Sequence, residues 1–215
     1  MRIFICGDSS CGNMADKYRP IYGWGELLAD CLNGIEVINA ASGGRSSKSF
    51  LEEGSMQKVL DQLGKDDLML IQFGANDALG DSEKLYTNPK TTYPEYLMQY
   101  VNGAKERDAI PVLLTSVWLR RYHGDELVDI LHEYNDAVRE LAKREKLPLV
   151  EVVNEAIKKM TQLPKEETAT YYANLPAGVY ENFPNGKEDN NHSLRKGAEF
   201  NARIVADGLK VLKLV

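Results

Sequence analysis

The sequence predicts an α/β protein, a three-layer α/β/α sandwich in which about five parallel strands form the middle layer. Three observations carry this reading. Apolar runs of strand length recur along the chain, helical periodicity fills the segments between them, and the runs end in short Gly- and Ser-rich clusters. With 215 residues the chain fits one domain, 1–215, large enough to bury a sizeable core.

The runs come in order. Ile3–Cys6 is the first, followed by Glu36–Ala41 (EVINAA), Leu68–Phe73 (LMLIQF), Ile110–Val117 (IPVLLTSV) and Leu147–Val153 (LPLVEVV). Their near-continuous Val, Ile and Leu content predicts strands buried on both faces, as in a parallel sheet covered by helices. Between them, Tyr134, Ala137, Val138, Leu141 and Ala142 recur at i, i+3, i+4, i+7 and i+8, one face of a helix. Ala198, Ala202, Val205, Leu209 and Leu212 repeat the pattern near the C-terminus. Strand and helix in alternation predict crossover units. The stretch Thr161–Asn191 breaks the rhythm, with Pro164, Pro176, Pro184, Gly178 and Gly186 and little periodicity. A loop that long is expected to be functional, and Tyr171, Tyr172, Tyr180 and Phe183 argue that it packs or binds.

Composition removes several classes of function. A net charge of -6 gives no basic footprint for nucleic acid. No run is long enough to span a bilayer, so no membrane partner is expected. The three cysteines, Cys6, Cys11 and Cys31, lack metal-site spacing and read as free thiols of a reducing compartment. The apolar start is too short for a secretory signal, and the expected location is the cytoplasm.

In a parallel sheet, ligands bind beyond the C-terminal strand ends. The first run ends at Gly7-Asp8-Ser9-Ser10, the second at Ser42-Gly43-Gly44-Arg45-Ser46, and the third at Gly74-Ala75-Asn76-Asp77. Asp189-Asn190-Asn191-His192 is expected to enter the last helix, where the three-residue offset would fold Asp189 back onto the ring of His192. Each cluster alone reads as a turn or a helix cap. Together they meet the needs of acyl transfer: a serine hydroxyl requires a histidine to take its proton, and the histidine requires an acid to fix its tautomer. A carbonyl under attack also needs donors already in place for its developing charge.

GDSS, Gly-Gly-Arg-Ser, GAND and DNNH, in this order, resemble the four blocks of the SGNH subgroup of GDSL hydrolases over essentially the whole chain. The resemblance is closest to the rhamnogalacturonan acetylesterase branch, through Gly23-Trp24-Gly25-Glu26, the Asn39–Ser46 block, Arg139–Ala142 and His192–Ala198. It implies a flavodoxin-like fold of strand order 2-1-3-4-5 without metal or cofactor. It also implies Ser9 as nucleophile, Asp189 and His192 as acid and base, and an oxyanion hole of Ser9, Gly44 and Asn76. The implied substrate is an acetylated, pectin-type oligosaccharide. The rival activities are those of a lysophospholipase or thioesterase, or of another sugar acetylesterase, and the non-enzyme alternative is a carbohydrate-binding protein.

Other residues complete the reading. Arg45 and Arg121, with Lys48 and Arg120 nearby, are expected at the rim, where a guanidinium would suit a uronate carboxylate. Cys11 reads as a packing residue, Trp24 as core, and His123 and His132 as surface histidines.

Overall fold

A computed structural model describes residues 1–215. The first apolar run forms β1 (Ile3–Gly7), and a two-residue strand β2 (Ile21–Tyr22) follows among short 3-10 turns. Next come β3 (Val37–Asn39), α1 (Ser47–Glu52), α2 (Ser55–Leu60), β4 (Leu68–Gln72), α3 (Thr92–Lys105) and β5 (Ile110–Leu114). A small hairpin, β6 (Tyr122–His123) and β7 (Glu126–Leu127), precedes α4 (His132–Glu145), β8 (Leu149–Val150), α5 (Val152–Met160) and α6 (Lys165–Ala169). The chain closes with β9 (Ser193–Leu194) and α7 (Arg195–Val211).

Five strands pair in the order β3-β1-β4-β5-β8, all parallel, which is 2-1-3-4-5 when only these strands are counted. Ile3 pairs with both Val37 and Leu68, Leu68 pairs with Ile110, and Leu113 with Leu149. Alternation along β1 splits the core in two. Ile3 and Ile5 join Leu68, Leu70, Val112 and Leu114 under α5 and α7, while Phe4 and Cys6 join Met69, Ile71 and Leu113 under the layer of α1 to α4. The expected apolar faces of α4 and α7 are those that the structure buries, although Leu212 lies just past α7 and is half-buried.

Three expectations change in detail. The second run is shorter than read and only half-buried, because β3 is the edge of the sheet and its outer side has no neighbour. The strand read over Ile110–Val117 stops at Leu114. The last run splits: Leu149–Val150 is strand, but Val152 and Val153 open α5, where Thr115 Oγ1 accepts both of their N–H groups at 2.8 and 3.1 Å. An apolar run does not record where its backbone turns.

The long segment 161–191 is largely non-repetitive, as expected. Tyr172 is buried in it, and its hydroxyl donates to Trp118 O at 2.6 Å. The bridge Leu175–Lys187 and the bond from Ala173 N to His192 O (2.9 Å) tie it to the approach of β9. No helix is long and apolar enough to cross a membrane.

Candidate active site

β1, β3 and β4 all run toward one rim, so the loops after them emerge side by side there. Asp8–Gly12 turns directly out of β1, with Asp8 O accepting from Cys11 N and Gly12 N. Within this turn the two serines face different partners. Ser10 Oγ donates to Gln72 Oε1 at 3.2 Å and its N–H to Asp8 Oδ1 at 2.8 Å. Ser9 Oγ lies 3.1 Å from His192 Nε2.

His192 is oriented from its other side. Its Nδ1 is 2.8 Å from Asp189 Oδ2, while Asp189 Oδ1 accepts the backbone N–H of Asn191 (2.8 Å) and of His192 (2.9 Å). Asp189 therefore folds back across three residues in an Asp-closed turn that lies ahead of the helix, which begins only at Arg195. Partial burial works to raise the Asp189 carboxyl, but the bonds from the His192 ring and from the two backbone N–H groups outweigh it. The group stays well below the usual carboxylate range. A carboxylate on Nδ1–H leaves Nε2 free to accept a proton from Ser9.

The two other loops complete the rim. Gly43 sits so that a Cβ placed on it would lie 3.6 Å from Ser9 Cβ. Gly44 has φ +73°, a left-handed conformation suited to glycine. Asn76 is half-buried, with Nδ2 donating to Arg45 O at 3.1 Å. Beneath them, buried Asp77 accepts from Ser47 N (3.1 Å to each carboxylate oxygen), Gly74 N (3.1 Å), Thr87 Oγ1 (2.9 Å) and Ser47 Oγ. Burial pushes Asp77 up to about 6, with the Ser47 and Thr87 bonds opposing the rise.

The expected basic residues are engaged. Arg45 pairs with Glu53 (3.0 Å) and Gly43 O (2.8 Å), Lys48 donates to Glu83 O, and Arg120 bonds Thr168, Asn190 and Lys165 O. Arg121 donates to Asn191 Oδ1 at 2.8 Å and lines an open groove with Glu188, Asp189, Asn190 and Asn191, none of them apolar. Trp24 lies in a 3-10 turn, fully buried, with Nε1 donating to Gln72 Oε1 at 2.7 Å. Cys11 is buried, and desolvation drives its thiol far up, which makes it a packing residue. His123 and His132 are exposed.

Two contacts have no signature in the sequence. Lys187 Nζ stands 3.2 Å from Asp189 Oδ2, and Asn174 Oδ1 accepts Asp189 N at 3.2 Å. The bridge between Leu175 and Lys187 creates this neighbourhood, and no spacing rule marks it.

Comparison with known proteins identifies the family. The profile of the GDSL-like Lipase/Acylhydrolase family matches residues 5–175, which takes in Ser9, Gly44 and Asn76 and stops short of Asp189. The probable rhamnogalacturonan acetylesterase YesY of Bacillus subtilis is 36% identical over 213 residues, 99% of this chain and 94% of that one. Rhamnogalacturonan acetylesterase RhgT of the same organism is 32% identical, over 100% of this chain and 91% of its own. Among solved structures, YxiM of Bacillus subtilis superposes with a TM-score of 0.79 at 23% identity, over 99% of this chain and 56% of that one. A family profile across most of the chain, relatives matched from end to end and a shared fold place this protein in the GDSL-like lipase/acylhydrolase family, as a carboxylic ester hydrolase.

Proposed function

We propose that the protein is a serine acetylesterase acting on acetylated pectin-type (rhamnogalacturonan) oligosaccharides, with Ser9 as nucleophile, His192 as base and Asp189 as its orienting acid. The observation that carries this reading is the continuous chain from Ser9 Oγ through His192 to Asp189, at 3.1 and 2.8 Å. Ser9 Oγ attacks the acetyl carbonyl as its proton passes to His192 Nε2. The oxyanion is met by the N–H groups of Ser9 and Gly44 and by Asn76 Nδ2. Collapse breaks the bond to the sugar oxygen, which takes the proton from His192 and leaves as an alcohol. Water then gives a proton to His192, attacks acetyl-Ser9, and releases acetate as Ser9 recovers its proton. Every proton moves between protein, substrate and water, and no cofactor is called for.

The sugar is supported by two things. Full-length relatives carry rhamnogalacturonan acetylesterase in their names, and the groove beside Asp189 presents Arg121, Glu188, Asn190 and Asn191 with no apolar wall. An acyl chain gains about 0.8 kcal/mol per methylene only where an apolar surface receives it.

The test is a series of p-nitrophenyl esters alongside acetylated rhamnogalacturonan and acetylated xylan. Expected are a kcat/KM that falls from acetyl through butyryl to octanoyl, and acetate release fastest from rhamnogalacturonan. Ser9→Ala should fold and lose nearly all activity, and a fluorophosphonate should label Ser9 alone. Rising kcat/KM with chain length would favour a lipase or thioesterase, and labelling at Ser10 would overturn the nucleophile.

A further inference from the structure

We infer that Arg45 is a positioning residue that holds both the backbone and the side-chain donor of the oxyanion site, rather than a residue that grips substrate. The inference rests on the oxyanion roles proposed above for Gly44 and Asn76.

The first link is the peptide between Gly43 and Gly44. Its C=O and N–H lie in one plane and point in opposite directions. Arg45 Nη1 donates to Gly43 O at 2.8 Å, so the guanidinium anchors the carbonyl end of the unit whose N–H would meet the oxyanion. This peptide needs an external anchor. Gly43 and Gly44 are both exposed, and the space where a Gly44 Cβ would sit has no atom within 4 Å. Two adjacent exposed glycines, Gly44 with nothing packed against it, hold a peptide plane only loosely. A cation on the carbonyl also polarises the unit and strengthens its N–H as a donor.

The second link is the side-chain donor. Asn76 Nδ2 donates one of its two hydrogens to Arg45 O at 3.1 Å, which fixes the direction of the other. One residue thus holds the peptide by its side chain and the amide by its main chain.

The third link explains why the guanidinium stays in place. Arg45 Nε donates to Glu53 Oε2 at 3.0 Å, and Glu53 Oε1 pairs with Lys84 Nζ at 2.7 Å. Glu53 follows directly on α1, so the strut is rooted in a helix end. The bonds from Lys84 and Arg45 hold its carboxyl below the usual range. A guanidinium engaged on Nε and Nη1 is held in one orientation by its protein partners, with Nε already committed to a carboxylate of the protein itself.

Four variants, Arg45→Ala, Arg45→Lys, Glu53→Gln and Asn76→Ala, assayed on neutral p-nitrophenyl acetate and on an acidic acetylated oligosaccharide, decide the matter. Arg45→Ala should lose roughly ten- to a hundredfold in kcat on both substrates with KM within about twofold, as expected for a displaced oxyanion donor. Arg45→Lys should recover part of the loss, since an ammonium reaches Gly43 O or Glu53 but does not span both. Glu53→Gln should lower kcat about threefold and leave KM alone. The inference is overturned if Arg45→Ala keeps its kcat on the neutral ester and raises KM only on the acidic substrate, or if Glu53→Gln lowers KM by freeing the guanidinium. Asn76→Ala separates the two levels. If it loses kcat while Arg45→Ala does not, the strut fails alone; if neither loses kcat, the oxyanion reading fails with it.

Discussion

Asp77→Asn tests how the rim is built. Asp77 is fully buried, and its carboxyl titrates at about 6 in the folded protein against 3.8 for the free side chain, with burial the main cause. The folded state therefore holds this proton more tightly than the unfolded chain. The resulting stability is present below pH 4, is lost as pH rises from about 4 to about 6, and stays lost above that. A shift of about two units at 1.36 kcal/mol each amounts to about 3 kcal/mol. Asparagine has no proton to release, so this dependence disappears in the variant. The variant also carries a constant cost of about 1–3 kcal/mol, because its amide hydrogens meet donors at Ser47 N and Gly74 N. The assay is urea denaturation of both proteins at pH 4, 5, 6 and 7. The wild-type advantage should be largest at pH 4 and shrink by about 3 kcal/mol by pH 7, other carboxylates cancelling in the difference. An advantage that is constant, or that grows with pH, would refute the reasoning, because the donors from Ser47, Gly74 and Thr87 would then outweigh burial and hold the carboxylate charged.

Asn76→Ala should lower kcat by roughly 10²–10³-fold with KM nearly unchanged, since an oxyanion donor serves the transition state more than the bound ester. A raised KM at constant kcat would instead make Asn76 a substrate contact. Gln72→Leu should destabilise the fold by about 3 kcal/mol in chemical denaturation, because Trp24 Nε1 and Thr115 O both lose their partner in a buried site. A loss below about 1 kcal/mol would mean that these groups find other partners. Gly197→Ala should be at least as damaging, since a Cβ there would lie 3.1 Å from Ser193 Cβ and still closer to Tyr171 O, at the joint that seats His192; melting temperature and kcat should fall together.

Much of this was legible in the sequence, for physical reasons that differ by element. β1 and β4 are central strands, so both faces are apolar and Ile3–Cys6 and Leu68–Phe73 could be read almost to the residue. β3 is exposed along one edge, and its bounds blurred accordingly. Val152 and Val153 look like strand because burial demands apolar side chains in either conformation. The hydroxyl of Thr115, 37 residues earlier, decides for helix. At the rim, the four polar clusters were visible because acyl transfer restricts residue types. The groups around them were not. Lys187 reaches Asp189 through a bridge within an irregular segment, and Arg45 meets Glu53 across the length of α1, a pairing that no spacing rule marks. Such partners are set by how loops close, which leaves no periodicity behind.

The sequence separation of 183 between Ser9 and His192 bears on biosynthesis. All five strands of the main sheet, with Ser9, Gly44 and Asn76, are complete by Val150, while the imidazole proposed to deprotonate Ser9 is synthesised more than forty residues later. Contacts at such separation close late, because the intervening chain must already be ordered. On the proposed mechanism, a nascent chain would carry Ser9 in a chemically silent form until β2 and β9 pair and seat the histidine. Reactivity toward an acylating reagent would thus count only molecules in which His192 is seated, and a chain still short of β9 would not spend itself on esters it meets on the way.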